Sequence, residues 1–340
     1  MTIHAASKNA IASALNQALN HYKIAALTQK QDRVLYDYIQ NAKDIVWEYK
    51  PTVLSLKKFL FPQDEVILEY TSDGKVLPKT ESKPQILFGM RPCDIHAMKL
   101  LDEAFAEGHG DPNYLSRREN TLIIGTDCFK VCDEHAFCYK VKSQEASEGF
   151  DLMLYEMESE NYLIECKTEK GKQFLDKYLK TEKADETELK KFKAKKEEGF
   201  KNKKPFKELE NLPEIYENNK EHEIWEKEAS RCLSCGSCIM VCPTCYCFDV
   251  ADELALNLKK GERIRRWDAC MLSDFAVVAG GENFRPKAKE RLKHRIMRKF
   301  NYLMKKHGEA VCVGCGRCVR ACLADISPKK ITETLTGEEK

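Results

Sequence analysis

Long apolar runs are absent from this sequence. No window approaches the roughly 18 consecutive apolar residues that a membrane-spanning helix needs. The first 20 residues, MTIHAASKNAIASALNQALN, contain no basic stretch followed by a continuous apolar core. No twin-arginine pair precedes an apolar segment. These absences argue against a secretory signal and a membrane span, so we expect a soluble protein of the cytoplasm.

An excess of charge of either sign is also missing. The 340 residues carry a formal net charge of +2, and no DNA-reading motif accompanies it, which argues against a nucleic-acid partner. No G-x-G-x-x-G follows a predicted strand, and there is no G-x4-G-K-[ST]. No nucleophile–base pair is evident, and His96, alone beside Cys93, is interpreted as structural or as a hydrogen-bond donor. We therefore predict no catalytic residue and no nicotinamide site in this chain.

Cysteine, by contrast, is abundant, with 16 residues. Half of them form two runs with the spacing C-x2-C-x2-C-x3-C, which is typical of proteins that bind two [4Fe–4S] clusters. One such run alone could bind zinc, but two complete runs favour two clusters in a reducing, anaerobic or microaerobic cell. The runs are Cys232, Cys235, Cys238 and Cys242, followed by Pro243, and Cys312, Cys315, Cys318 and Cys322.

The fourth cysteine of each run is predicted to ligate the cluster of the other run. The first predicted ligand set is therefore Cys232, Cys235, Cys238 and Cys322. The second is Cys312, Cys315, Cys318 and Cys242. Leu323 stands where such runs usually have proline, which changes the turn after Cys322 and leaves the ligand in place.

Four further cysteines fall in a predicted mixed α/β domain over residues 1–178. Strands are predicted at 85–88 and 121–124, and Asp94 is predicted to be the N-cap of a helix over 95–106. Because loops at strand ends are where α/β domains place sites, a third [4Fe–4S] cluster is one interpretation. A zinc site and metal-free reduced thiols are the alternatives, and Asp127 or His135 could replace one ligand. The predicted ligands are Cys93, Cys128, Cys132 and Cys138.

The remaining cysteines allow two interpretations. Cys245, Cys247 and Cys270 either ligate a further cluster or line the surroundings of the first cluster as small buried residues. Cys166 follows a strand pattern and is expected to pack in a core. The side chains of Arg231, Arg265 and Arg266 are predicted to offset the negative charge of the clusters.

The chain is predicted to be an α+β protein with three parts. Residues 179–226 are rich in Lys and Glu and are predicted to be a solvated, partly helical linker or insertion. The alternative is a docking strap that grips a domain or a partner through Phe192, Phe200, Leu212, Tyr216 and Trp225. Residues 227–340 are predicted to be an α-helical ferredoxin-type domain, with helices over 251–260 and 287–306.

The basic face of the second of these helices is predicted to be solvated. An acidic partner or the charge of the clusters could also account for it. The residues of this face are Lys289, Lys293, Arg295, Arg298 and Lys299.

Several stretches, taken together, resemble a family of iron–sulfur proteins that groups the A subunits of anaerobic sulfite reductases with the beta subunits of cytoplasmic sulfhydrogenases. One family feature differs. The Cys-Phe-Cys that is usual in the family reads Ala136-Phe137-Cys138 in this chain, so alanine replaces the first cysteine. The stretches are SLKKFLFPQDEVIL (55–68), FGMRPCDIHAMKLLDEAF (88–105), DPNYLSRREN (111–120), CPTCYCFDVADE (242–253), RRWDAC (265–270), GGENFRP (280–286) and VCVGCGRC (311–318).

This resemblance implies an electron-transfer subunit of a multisubunit oxidoreductase. Its implied partners are a flavin/NAD(P) subunit, which binds those cofactors, and a catalytic subunit of the nickel–iron hydrogenase or sirohaem sulfite reductase type. The main alternative is a self-contained redox enzyme with a flavin or substrate site near Cys93 and Cys128. A redox sensor or assembly scaffold is a third hypothesis. We favour the non-catalytic relay subunit over a stand-alone enzyme.

Overall fold

The computed structural model describes residues 2–80 and 83–338. The strands, in chain order, are β1 (Thr2–Ser7), β2 (Lys23–Lys30), β3 (Arg33–Tyr38), β4 (Asp64–Thr71), β5 (Val76–Pro78), β6 (Gln85–Met90), β7 (Thr121–Thr126), β8 (Leu152–Glu156), β9 (Asn161–Cys166), β10 (Glu182–Lys183), β11 (Phe248–Leu254) and β12 (Lys260–Trp267). The helices are α1 (Lys8–Ala18), α2 (Pro92–Ala106), α3 (Pro112–Glu119), α4 (Glu169–Tyr178), α5 (Glu186–Gly199), α6 (Leu212–Asn218), α7 (Ile224–Ser230), α8 (Ser237–Met240), α9 (Ala288–Met297), α10 (Leu303–His307), α11 (Arg317–Arg320) and α12 (Pro328–Leu335).

The first compact unit comprises residues 2–60, 83–134 and 143–203. It is built on an eight-stranded sheet with the order β10-β1-β9-β8-β7-β6-β2-β3. Strands β2, β6, β7 and β8 run parallel, and the outer strands pair antiparallel. Helices α1 and α4 contribute Leu15 and Phe174 to a core with Ile86 and Ile124 of the central strands. The predicted mixed α/β character is thereby confirmed.

The turn from β6 into α2 differs from the prediction in one detail. The helix begins at Pro92, Arg91 is its N-cap, and Asp94 lies within the first turn. The prediction that Asp94 caps the helix was wrong, because proline with its fixed φ is favoured at the first helical position and starts the helix earlier. Cys93 is therefore a first-turn residue of α2.

The second compact unit comprises residues 61–80, 135–142 and 204–338. It contains helices α6 to α12 and a four-stranded antiparallel sheet with the order β11-β12-β4-β5. The predicted helix over 251–260 was wrong, since this stretch belongs to the β11–β12 hairpin. Pairing of β12 with β4, at residues distant in sequence, overrides the local helix pattern. The expectation of a purely α-helical domain is corrected accordingly.

The predicted long helix over 287–306 is present with one interruption. Helices α9 and α10 are joined by a π-helical turn, Arg298–Tyr302. Leu292, Ile296 and Phe300 of the predicted apolar stripe are fully buried. Such π-turns shift the register of side chains along a helix and recur at functional sites.

The charged segment is not the solvated linker that its composition predicts. Phe192 of α5 packs in the first unit against Phe129, with ring centroids 4.3 Å apart. Leu212, Tyr216 and Trp225, on α6 and α7, are fully buried in the second unit. The structure supports the alternative, in which a polar segment grips a domain through a few large apolar side chains. Burial of these side chains is enough to hold an otherwise charged helix against the domain.

The compact units also depart from the predicted boundaries at residues 178 and 226. Residues 61–80 and 135–142 lie within the first predicted domain but belong to the second unit. The charged segment is divided between the units after Lys203. Pairing of β4 with β12 explains the first of these departures. No helix in the described part of the chain combines the length and apolarity that crossing a bilayer requires.

Candidate iron–sulfur site

The two cysteine runs fold into loops with the same backbone conformation. In the first loop, residues 232–238, Ser234 and Gly236 have φ of 51° and 76°. In the second loop, residues 312–318, Gly314 and Gly316 have φ of 57° and 74° at the corresponding positions. Each loop leads into a one-turn helix, α8 or α11. Two residues in the left-handed conformation turn the backbone of each loop tightly. The three cysteines of a loop can therefore face one common cavity.

The second loop is held by close backbone contacts with residues 135–142. The amide of Phe137 donates a 2.7 Å hydrogen bond to the carbonyl of Gly314. A Cβ at Gly314 would lie 2.6 Å from the backbone nitrogen of Cys138, and one at Gly316 would lie 2.6 Å from the carbonyl of His135. Both glycines are therefore required by conformation and by space.

The first predicted ligand set comes together around one cavity. Cys232, Cys235 and Cys238 of the first loop line it, and so does Cys322, the last cysteine of the second run. The backbone amide of Ile326 donates to the Cys322 sulfur at 3.4 Å. Cys235 is exposed, whereas the other three thiols are partly covered. The fourth cysteine of the second run thus lies with the first three of the other run.

The second predicted set is more enclosed. Burial raises the pKa of Cys312, and the neighbouring thiols of Cys318 and Cys242 raise it further. The amide of Gly314 donates to Cys312 and acts in the opposite direction. Cys315 is half-buried, and its carbonyl accepts a 3.0 Å hydrogen bond from Arg320. Cys242, the last cysteine of the first run, therefore lies near thiols of the second loop.

Two buried cations stand among these thiols. Arg295 and Lys299 of the α9 helix and the following π-turn are 5% and 7% exposed. Burial disfavours the Arg295 cation, but the sulfurs of Cys238 and Cys318 outweigh that effect and raise its pKa. Burial likewise disfavours the Lys299 cation, and the sulfurs of Cys242, Cys245 and Cys312 together outweigh that effect and raise its pKa. Both side chains are positioned to offset negative charge on thiolates.

Lys299 also links the two runs through hydrogen bonds. Its ammonium donates to Thr244 Oγ1 at 2.6 Å, and that hydroxyl donates to the carbonyl of Val311 at 2.8 Å. The Cys242 sulfur lies 3.4 Å from the same hydroxyl. The stretch after the first run is thereby tied to the residue that precedes Cys312.

The predicted solvated basic face was therefore wrong for Arg295 and Lys299. The arginines predicted to offset cluster charge have other partners. Arg265 pairs with Glu65, and Arg266 pairs with Asp64 and Glu253. Arg231 pairs with Glu228. For Arg295 and Lys299, which stand at i and i+4 on a helix between two cysteine runs, the structure favours the alternative that the charge of the clusters accounts for the basic face.

The donor set fits iron–sulfur clusters. Within residues 2–80 and 83–338, no three His, Cys, Asp or Glu side chains converge closely enough to hold a single metal ion. Each thiolate of a [4Fe–4S] cluster binds a different iron, so the ligands stand further apart than those of one ion. The unsatisfied, buried Nε of Arg295 is a free donor beside these thiols.

Comparison with known proteins places this geometry in a family. Residues 231–326, which include both runs, match the family model described as 4Fe-4S dicluster domain. The chain is 33% identical over 312 residues to sulfhydrogenase 2 subunit beta of Pyrococcus furiosus, an alignment covering 88% of this chain and 87% of that protein. The chain belongs to the sulfhydrogenase beta subunit family. The resemblance seen in the sequence is thus confirmed, and this sulfhydrogenase beta subunit homologue is an iron–sulfur protein of electron transfer.

Three more cysteines of this beta subunit homologue lie near the two sets, since Cys245 neighbours Cys242 of the second set and Cys270 neighbours Cys238 of the first. Cys245 is hydrogen-bonded to Cys242. Cys247 and Cys270 are hydrogen-bonded to each other, and the Cys270 donor lowers the pKa of Cys247. Cys166, by contrast, is buried in the core of the first unit, as expected.

The thiols of the predicted third cluster are divided between the units. Cys93, Cys128 and Cys132 belong to the first unit, and Cys138 belongs to the second. Cys93 and Cys128 follow the adjacent parallel strands β6 and β7. Burial raises the pKa of Cys128 to about 11. Cys138 lies in the stretch 135–142, which packs on the second loop.

The neighbours of Cys128 are positively charged. Lys196 donates to Asp127 Oδ1 at 2.6 Å, and Arg91 donates to the Asp127 carbonyl at 2.6 Å. Both cations oppose the effect of burial on the Cys128 pKa. His96 is hydrogen-bonded to the carbonyl of Glu145, in keeping with the structural role predicted for it.

Proposed function

We propose that this protein is the iron–sulfur subunit of a cytoplasmic multisubunit oxidoreductase. In this proposal it relays electrons from or to a flavin/NAD(P) subunit on one side and a catalytic subunit of the hydrogenase or sulfite reductase type on the other. The observation that carries the proposal is the position of Cys322, which lines the same cavity as Cys232, Cys235 and Cys238. That exchange of a fourth ligand is the arrangement of two-cluster ferredoxins. The relative's name, which makes it the beta subunit of a sulfhydrogenase, supports the assignment to a complex.

The proposed ligands follow from the two sets of thiols. Cys232, Cys235, Cys238 and Cys322 hold one [4Fe–4S] cluster. The second is held by Cys312, Cys315, Cys318 and Cys242. Such clusters, when bound, accept and release single electrons. The chain's own contribution is to fix six thiols on two matching loops, to supply one further thiol after each loop, and to place cations beside them.

The buried cations Arg295 and Lys299 shift the reduction potentials of the clusters in one direction. Arg295 faces thiols of both sets, and Lys299 faces Cys242 and Cys312. Reduction adds negative charge to a cluster, and a nearby buried cation stabilises that charge. Both residues therefore raise the reduction potentials relative to the same loops without them.

One edge of the first set is open to a partner. Cys235 is exposed, and Leu233 and Leu323 beside the cavity are 64% and 89% exposed. Large apolar side chains around an exposed thiol are suited to contact another subunit. We propose that electrons pass between this protein and one partner at this edge.

A third cluster on Cys93, Cys128, Cys132 and Cys138 is proposed as an extension of this path. The position of Cys93 and Cys128 after neighbouring parallel strands supports it, together with the cations near Cys128. Anaerobic iron analysis of Cys128→Ser tests it. Loss of about four iron per chain would support this cluster, and an unchanged iron content would contradict it.

Anaerobic purification of the chain from its native host tests the proposed function. We expect it to copurify with two kinds of partner, one that binds flavin and one that carries nickel or sirohaem. A partner with nickel would identify a hydrogenase, and one with sirohaem would identify a sulfite reductase. Recovery of the chain alone, with bound flavin and turnover of a substrate in the presence of a reductant, would contradict the relay and favour the self-contained enzyme.

A further inference from the structure

A second cavity, of about 430 Å³, lies in the second unit. Three cysteines outside the two runs line it, together with one histidine. They come from the stretch after the first run, from the residues that follow β12, and from α9. These four side chains are Cys245, Cys247, Cys270 and His294.

The charge of the cavity wall points to an anionic occupant. The described residues that line it include four cationic side chains and no carboxylate. Cationic side chains around a partly enclosed space raise the local concentration of anions. A metal–sulfur centre held by thiolates is anionic and matches this wall. The cations are Arg285, Arg295, Arg298 and Lys299.

We propose that Cys245, Cys247, Cys270 and His294 hold a further [4Fe–4S] cluster in this cavity. Three thiolates and one imidazole complete the four ligands that such a cluster needs. His294 lines the cavity with the three cysteines, and a neutral imidazole has a ring nitrogen available as a ligand.

Size and spacing favour a cluster over a single ion. Zinc with the same ligand types would need all of them within about 2.0–2.3 Å of one point. No three such side chains converge on one point within residues 2–80 and 83–338. The cavity, of about 430 Å³, has room for a larger centre.

The position of this centre gives it a role in the electron path. The sulfurs of Cys245 and Cys242 are in hydrogen-bond contact. Because Cys242 is a proposed ligand of the second cluster, the two centres would be direct neighbours. The cluster in this cavity then extends the path from the two-cluster pair.

The test uses the full-length chain, purified anaerobically, with iron, zinc and sulfide measured per chain. Cys247→Ser is the main variant, and Cys166→Ser in the core of the first unit is the matched control. We expect Cys247→Ser to lose about four iron and the control to lose none. The spin-coupled EPR signal of the paired clusters, recorded on the same samples, shows that the second unit is folded.

A second variant tests the histidine. Pulsed EPR of the reduced wild type is expected to show a nitrogen coupling that His294→Gln removes, while the coupled signal of the paired clusters remains. Unchanged iron in Cys247→Ser, or loss of one zinc in place of iron, would overturn the proposal. If the coupled signal is absent from the wild type itself, the two-cluster assignment fails, which is a separate outcome.

Discussion

The guanidinium of Arg295 donates a hydrogen bond to the thiol of Cys318. The same cation is the neighbour that most opposes the effect of burial on Cys238, a thiol of the other set. A single buried arginine thus faces both proposed clusters. Its charge is not shared with any carboxylate in the contacts described for it, so the thiolates are its counterions.

Replacing this arginine should lower both reduction potentials. In Arg295→Gln the buried positive charge is lost, and we expect decreases on the order of 100 mV, since a charge a few ångströms away contributes a few kcal/mol. Redox titration followed by EPR measures both clusters. Arg263→Gln removes the same charge from an exposed pair with Asp252 and should leave the potentials unchanged. Equal potentials in Arg295→Gln and the wild type would refute the role of Arg295.

The second loop should not tolerate a side chain at Gly316. In Gly316→Ala the new Cβ would lie 2.6 Å from the backbone of His135, in addition to the cost of its positive φ. Gly337→Ala has a similar φ of 67° and nothing within 4 Å, so it isolates the conformational cost of about 1–2 kcal/mol. We expect Gly316→Ala to cost about 2 kcal/mol more and to reduce the iron content. Anaerobic thermal unfolding and iron analysis of both variants check this, and equal losses would rule out the steric explanation.

The elements with a strong local signal were predictable from the sequence. The buried strands around Ile86 and Ile124, and the apolar stripe of Leu292, Ile296 and Phe300, are present because burial follows their periodicity. The stretch from Phe248 to Leu254 was not predictable, because its partner β12 pairs with β4, almost 200 positions earlier. Local pattern carries no information about such pairing.

The bridge from Lys299 to Thr244 should stabilise the second unit. Thr244→Val keeps the shape of the side chain but removes the acceptor for the buried ammonium and the donor to Val311. We expect a loss of about 1–3 kcal/mol in the free energy of unfolding. Thr187→Val, at an exposed helix position, is the control. Anaerobic chemical denaturation measures both, and a Thr244→Val protein as stable as the control would contradict this role.

The exposed edge near Cys235 should carry electron exchange with a partner. Leu323→Glu places a charge on an 89% exposed apolar side chain beside Cys322 without touching a ligand. We expect the iron content to stay the same and electron transfer with the copurified flavin-binding partner to slow at least about tenfold, since a charge that has to be desolvated weakens an apolar contact. Val53→Glu changes an exposed apolar side chain in the first unit and should have no effect. Stopped-flow reduction compares the two, and equal rates would place the contact elsewhere.

The candidate site was predicted in part. The spacing of the runs indicated the eight thiols, because three cysteines on a tight loop need that spacing. Their assignment to two clusters stays a prediction. The buried positions of Arg295 and Lys299 were missed because lysine and arginine are almost never buried without a partner, and the partners here are thiols from distant segments. The third set, Cys93, Cys128, Cys132 and Cys138, likewise stays a prediction; the packing of residues 135–142 on the second loop could not be predicted, because it joins segments distant in sequence.

The most direct test of the two-cluster assignment is EPR of the fully reduced chain and of its Cys322→Ser variant. If Cys322 completes the set of Cys232, Cys235 and Cys238, the wild type shows two mutually coupled cluster spins. The variant then shows an altered or missing first cluster and the uncoupled spectrum of the second. Identical coupled spectra in the wild type and Cys322→Ser would contradict the exchange of ligands between the two runs.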